Sequence, residues 1–165
     1  IVRGDEMQPD LSVAYPQQQP SVLKYQMLQV THDWLFDSAL AQNIGRCVFR
    51  LKFWQKGLAA KSILAVEHAS KHTVVGCESC GQCRLAETLY ICPETCPKGL
   101  ANGPCGGTRL DRCEFADREC IHSQKYRLAK QVKQQALLRN ELIPAVSVEV
   151  RQTSSWVNWF QPKNQ

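Results

Sequence analysis

The chain has 165 residues, about one domain's worth, so it can bury one modest core and is no large multidomain enzyme. With 44% hydrophobic, 21% charged and 8% aromatic residues, it has the composition of a folded globular protein and not of a disordered tail or a collagen-like fibre. Twenty Lys and Arg against fifteen Asp and Glu leave +5, too small an excess to single out nucleic acid, an acidic partner or plain solubility. The longest apolar stretches, around Val30–Phe36 and Leu58–Val66, are short or broken by Asp33 or Lys61, so no membrane partner is expected. No basic, apolar signal segment opens the chain, which begins at Ile1 and not at Met, and a cytoplasmic location is expected.

In chain order, residues 1–20 read as an extended arm: Pro9, Pro16 and Pro20, three acids and the run Gln17–Gln19 offer nothing to pack. Residues 21–72 form a helical segment. Ser21 is an N-cap, Leu23, Met27, Val30, Trp34 and Leu35 recur at helical spacing to predict one helix with a buried face running to about Gln42, and Asn43 and Gly45 end it. Gly57 then precedes a second helix, Leu58 to His72. Residues 73–120 are a cysteine-rich, Gly- and Pro-punctuated loop region with no periodic run, and a loop that long needs an internal staple. Residues 121–140 predict a basic amphipathic helix, with Ile121, Leu128, Val132 and Ala136 on one stripe and five Lys and Arg with no acid among them. The tail 141–165 reads as extended, with Val146, Val148 and Val150 alternating as in a strand before Trp156, Trp159 and Phe160. The fold class is mainly α around an irregular metal-stapled region, a small α+β fold being the alternative.

Eight of nine cysteines crowd into Cys77, Cys80, Cys83, Cys92, Cys96, Cys105, Cys113 and Cys120, and all eight are the candidate metal ligands. The ninth, Cys47, sits in an apolar run, where a free thiol behaves as a small hydrophobe. Disulfides would suit a secreted module, but three thiols at two-residue gaps pair poorly with distant partners. Zinc takes four thiolates, usually from two Cys-x2-Cys knuckles, and only the first half of the region supplies such a knuckle. A Cys-x2-Cys-x2-Cys turn plus a remote Cys-Pro is how bacterial ferredoxins reach a four-iron cluster, and Cys77, Cys80, Cys83 and a later Cys-Pro follow that logic. The eight thiolates accommodate two [4Fe-4S] clusters, one cluster and one zinc, or one cluster with structural thiols; spacing does not choose. Gly81, Gly103, Gly106 and Gly107 let amides approach cluster sulfur, or simply turn the chain. Lys98 and Arg112 lie between ligands, where positive charge favours an anionic cluster. His68 and His72, four apart on a helix, leave open a mixed Cys/His site.

Gly76-Cys-Glu-Ser-Cys-Gly-Gln-Cys-Arg-Leu85, Cys92-Pro-Glu-Thr-Cys-Pro-Lys-Gly99, Asn102-Gly-Pro-Cys-Gly-Gly107, Cys113-Glu114 and Cys120-Ile121 follow one another in the order found in the cysteine-rich C-terminal domain of bacterial methylenetetrahydrofolate reductases. That domain also occurs as the small iron–sulfur partner subunit of acetogen-type enzymes. The resemblance covers about Glu67 to Arg127, with a weaker echo in Thr153–Asn158, and departs at Ile121-His122, where an aromatic is expected. It implies an electron-transfer subunit beside a flavin-containing reductase or a related one-carbon enzyme. The chain carries no dinucleotide fingerprint and is shorter than a (β/α)8 barrel of roughly 200 or more residues, so catalysis belongs to the partner and no catalytic residue is expected here. The alternative function is a zinc-stapled module that organises a methyl-transfer or folate enzyme complex. The basic helix lacks interleaved aromatics apart from Tyr126, so a protein partner, not nucleic acid, is expected. The arm and the aromatic tail are the expected docking elements for that partner.

Overall fold

A computed structural model of the protein describes residues 20–103, 105–115, 118–140 and 142–161. The arm expected over 1–20 lies, except for Pro20, outside them. The described chain is mainly helical. Helix α1 (Val22–His32) starts at Ser21, whose Oγ accepts from Lys24 N at 3.1 Å. A π-type turn over Asp33–Asp37 separates it from α2 (Ala39–Phe49), and a 3-10 turn, Lys52–Trp54, leads to α3 (Gly57–Val75). The cysteine-rich region follows with two short 3-10 turns, Ala86–Thr88 and Pro93–Thr95. Helices α4 (Ile121–Gln131), α5 (Leu137–Asn140) and α6 (Ser155–Trp159) complete the order.

The single helix expected from Ser21 to Gln42 is two helices. Ser38 makes the break: its backbone is extended and its Oγ caps α2 by accepting from Ala41 N at 3.2 Å. Gly45 does not end a helix; it lies inside α2, where the ring of Phe160 packs against its bare backbone. The predicted buried face of α1 is also different. Leu23, Met27, Val30 and Trp34 are each more than half exposed, while Tyr25 is buried and Val22 and Leu28 pack beside it. Helix α3 runs three residues past His72 to Val75 and stops at Gly76, which takes the left-handed conformation of a C-cap at φ 65°.

The basic helix expected over 121–140 is broken in the middle. α4 ends at Gln131, Lys133 turns at φ 57°, and α5 adds one more turn. The alternating valines near 148 form a 3-10 turn, Val148–Val150, and not a strand; no neighbouring strand offers a ladder, and isolated bridges at Arg109, Arg112 and Glu119 are the β pairing seen among the described residues. Without such a ladder an extended segment leaves its backbone groups unpaired. The tail is not extended throughout either, because Ser154 Oγ caps α6 by accepting from Val157 N.

The core joins Tyr25 of α1, Leu85, Leu89, Tyr90 and Cys92 of the cysteine region, and Leu128 and Ala129 of α4, with Cys83, Val75 and Leu138 packed against it. Two candidate ligands thus belong to the core itself. An aromatic cluster carries the other half of the fold. Phe160 stacks on Phe36 and Phe49 with centroids 5.8 and 5.6 Å apart, and Trp159 meets His32 edge-on at 5.2 Å. The tail therefore docks on the chain's own α1 and α2, which overturns the expectation that its rings are held out for a partner.

Candidate functional site

The eight clustered cysteines gather as two sets of four, each around its own small pocket. Cys77, Cys80, Cys83 and Cys92 line the first, with Glu67, Lys71, Arg84, Glu94 and Ser155 in its wall. Cys96, Cys105, Cys113 and Cys120 line the second, with Lys98, Glu114, Arg118, Glu119 and His122. All nine thiols are free, and Cys47 is exposed in α2, in neither pocket.

Local backbone explains the first set. Past Gly76 the chain makes a tight loop in which Ser79 and Gly81 hold φ 50° and 78°, so three thiols two residues apart turn to one side. A Cβ on Gly81 would lie 1.8 Å from the carbonyl oxygen of Val150, so only glycine allows the segment before α6 to cross here. The fourth thiol arrives from the 3-10 turn Pro93–Thr95, which also explains why spacing alone could not assign the Cys-Pro pairs. Cys92 precedes this turn and Cys96 ends it, so residues four apart serve opposite pockets.

The second set is built on a two-residue hairpin turn. Arg109 and Arg112 exchange backbone bonds of 3.1 and 2.9 Å across Leu110 and Asp111, both at positive φ. Cys113 N then donates to Arg118 O at 3.0 Å and Cys120 N to Asp111 O at 2.7 Å, which brings these two cysteines together. Thr108 Oγ1 lies 3.2 Å from Cys120 Sγ and 3.5 Å from Cys105 Sγ, so its one proton can turn to either sulfur.

Burial pushes the Cys77 and Cys80 thiols above their ordinary range and Cys92 up to about 11. Opposing that, the backbone of Ser79 and Glu94 favours the thiolates of Cys77 and Cys92, while Cys80 Sγ donates to Gln82 O at 3.1 Å. Cys105 goes the other way: the Thr108 hydroxyl, then the Gly107 amide, hold its thiol below the usual range. Main-chain amides aimed at sulfur favour thiolate over thiol and tune any metal it holds. Among the described residues no three cysteine sulfurs lie within 4.8 Å of one another, although each set shares one pocket. One zinc ion, with Zn–S of about 2.3 Å, draws its four sulfurs to about 3.8 Å apart. A cubane cluster has an iron at each corner between its thiolates and so holds them further apart. Four thiols at each pocket are a donor set that would suit an iron–sulfur cluster or a zinc ion.

Several residues that sequence reasoning passed over complete the first site. Glu67 of α3 is buried, and its carboxylate accepts from Lys71 Nζ at 2.8 Å, Ser154 Oγ at 2.6 Å, Ser155 Oγ, and Trp156 N at 3.3 Å. Arg84, also buried, donates to Pro144 O at 2.8 Å and pairs with Glu94, whose second oxygen takes Arg151 at 3.0 Å. A charged i,i+4 pair on α3 was the available signal for Glu67 and Lys71. His68 and His72 lie outside both pockets: His68 Nδ1 is 2.8 Å from Ser79 Oγ, and His72 Nδ1 donates to Cys77 O at 3.2 Å, so they brace the loop. His122 donates from Nε2 to Leu100 O at 3.0 Å, and burial lowers its pKa, keeping the ring neutral beside the second pocket. Lys98 lies there too, paired with Glu114 at the surface.

No helix among the described residues is long and apolar enough to cross a membrane. No curated protein and no solved structure matches the chain. Residues 58–149, more than half of its length and spanning α3 and all eight clustered cysteines, match the family described as methylene-tetrahydrofolate reductase C terminal. With the cysteine motifs in order and the two thiol pockets they build, the chain belongs to the methylenetetrahydrofolate reductase C-terminal family.

Proposed function

We propose that this chain is an iron–sulfur electron-transfer domain, with one four-iron cluster on Cys77, Cys80, Cys83 and Cys92 and a second on Cys96, Cys105, Cys113 and Cys120. The observation that carries this reading is the division of eight thiols into two fours, each lining its own pocket. Bound there, the clusters supply one-electron storage. The protein's own part is to fix the thiolates, aim amides at their sulfurs and seal the first site behind Leu85, Arg84 and α6. Membership of the reductase family supports a flavin-dependent methylenetetrahydrofolate reductase as the partner that does the chemistry on folate. Free thiols throughout support a reducing, cytoplasmic setting.

The surface of α1, α2 and the following turn supports a protein partner. Leu23, Met27, Val30, Trp34, Leu40, Ile44 and Phe53 are all more than half exposed, apolar side chains that a partner could cover. The test is anaerobic purification with iron, acid-labile sulfide and zinc assays, and a visible spectrum before and after dithionite. About eight irons and eight sulfides per chain, in a brown protein that bleaches, are the expected result. A colourless protein with stoichiometric zinc overturns it in favour of a structural zinc module.

A further inference from the structure

Lys71 lies on the side of α3 that faces the first thiol pocket. Its ammonium is fixed at both ends of a short network, 2.8 Å from Glu67 Oε1 and 2.8 Å from Ser155 Oγ, and lies 5.8 Å from the centroid of the Trp156 ring. Only 15% of its side chain is exposed, against 37% for Lys98 beside the second pocket. Lys71 is therefore a cation fixed in the wall of the first pocket, held by its own helix at one end and by the tail at the other.

We propose that Lys71 tunes the first centre electrostatically, holding its reduction potential above the value the four thiolates alone would give. The inference rests on the iron–sulfur reading. Reduction adds one electron and one negative charge to the centre, with no bond made or broken and no proton required, so a fixed neighbouring cation favours the reduced form. Burial makes that preference larger and less open to screening by salt than the same charge at a surface. Glu67 stands in the same pocket wall with the opposite sign, but its carboxylate is turned to α6 and shared among Ser154, Ser155 and the amide of Trp156.

A structural role for the pair would make both residues equivalent, since each ties α3 to α6. A tuning role gives them opposite signs, and this separates the two. The experiment is an anaerobic redox titration of the iron-loaded full chain with dithionite, followed by electron paramagnetic resonance, on wild type, Lys71→Met, Lys71→Arg and Glu67→Gln. Lys71→Met is expected to make reduction of one centre at least tenfold less favourable, about 59 mV for one electron, while the other centre stays put. Glu67→Gln should move the same centre to higher potential, and Lys71→Arg should restore it to near wild type. If Lys71→Met does not fold, Lys71→Met combined with Glu67→Gln removes both charges together, and a lowered potential is still expected. Unchanged potentials in iron-loaded variants, or shifts of the same sign for Lys71→Met and Glu67→Gln, overturn the inference alone. A wild-type chain loaded with zinc overturns the iron–sulfur reading and this inference with it.

Discussion

Phe160 lies directly on the backbone of Gly45: a Cβ built there would stand 2.4 Å from Cδ1 of the ring. The ring cannot yield sideways, because Phe36 and Phe49 stack on it with centroids 5.8 and 5.6 Å away. Gly45→Ala gains up to about 1 kcal/mol of helix propensity but overpacks this contact, typically at about 1–3 kcal/mol. Gly45→Ala is expected to be destabilised on balance. A thermal melt reads it, and a midpoint equal to or above wild type would mean the tail does not pack there.

The grouping of thiols predicts which metal leaves with which cysteine. Cys80→Ser should lose half of the iron and one of two spectroscopic signals, Cys113→Ser the other half, and Cys47→Ser none. Iron assays with electron paramagnetic resonance on the three variants check this. Loss of the same signal from Cys80→Ser and Cys113→Ser would break the assignment.

Gly81→Ala tests the roof of the first pocket. The new methyl would strike the carbonyl of Val150 in a backbone at φ 78°, where L side chains are already disfavoured. The crossing segment must lift, and the first centre should be lost, halving the iron while the second signal persists. Full iron content in this variant would show that the segment is not needed.

The metal-free chain should be stable in weakly acidic and neutral buffer and weaken in alkali. Folding raises the Cys92 thiol from its ordinary 9.0 to about 11 and moves Cys77 and Cys80 the same way. A group with a raised native pKa stabilises the fold fully below its unfolded pKa and loses that contribution as pH climbs through the native one. Cys92 alone supplies about 3 kcal/mol in this way. Urea midpoints of the metal-free protein should be level from pH 7 to about 8.5 and fall between about 9 and 11; level midpoints to pH 11 would contradict it.

Cys105 should be the first of the eight clustered thiols to react in the metal-free chain. It is half-buried, not buried, and the Thr108 hydroxyl and the Gly107 amide favour its thiolate. Timed alkylation with peptide mapping should rank Cys105 ahead of Cys77, Cys80 and Cys92, Thr108→Val should slow it, and metal loading should protect it. Equal rates across the set would remove this ordering.

That Cys77, Cys80 and Cys83 share one pocket was legible in the chain because the three are local. Cys77, Cys80 and Cys83 sit within one loop, and a spacing of two between thiols has few uses. The helix preceding them was legible for the same reason, although it runs past the expected end at His72 to stop at Gly76. What was not legible depends on distant partners. Whether Cys92 or Cys96 completes the first set hangs on which way one 3-10 turn faces. Gly45 reads as a terminator until Phe160, far along the chain, is seen to occupy its face. The apolar residues of α1 satisfy helical periodicity on more than one face, so pattern alone could not say that Tyr25 goes inward and Trp34 outward. The alternating valines met the period of a strand but had no neighbour to pair with.

The wall of the first pocket is closed by Ser155, which is 63 residues after Cys92, the last of its four thiols. During synthesis at roughly 5–20 residues per second, the four thiols are on the ribosome for about 3–12 seconds before their cover has been translated. Throughout that interval the buried face of Glu67 lacks Ser154 and Ser155, and the pocket is open along the side that α6 later occupies. On the iron–sulfur reading, that interval is when a centre would be assembled with the pocket still open, and a chain completed with empty thiols would have to undock the tail to load.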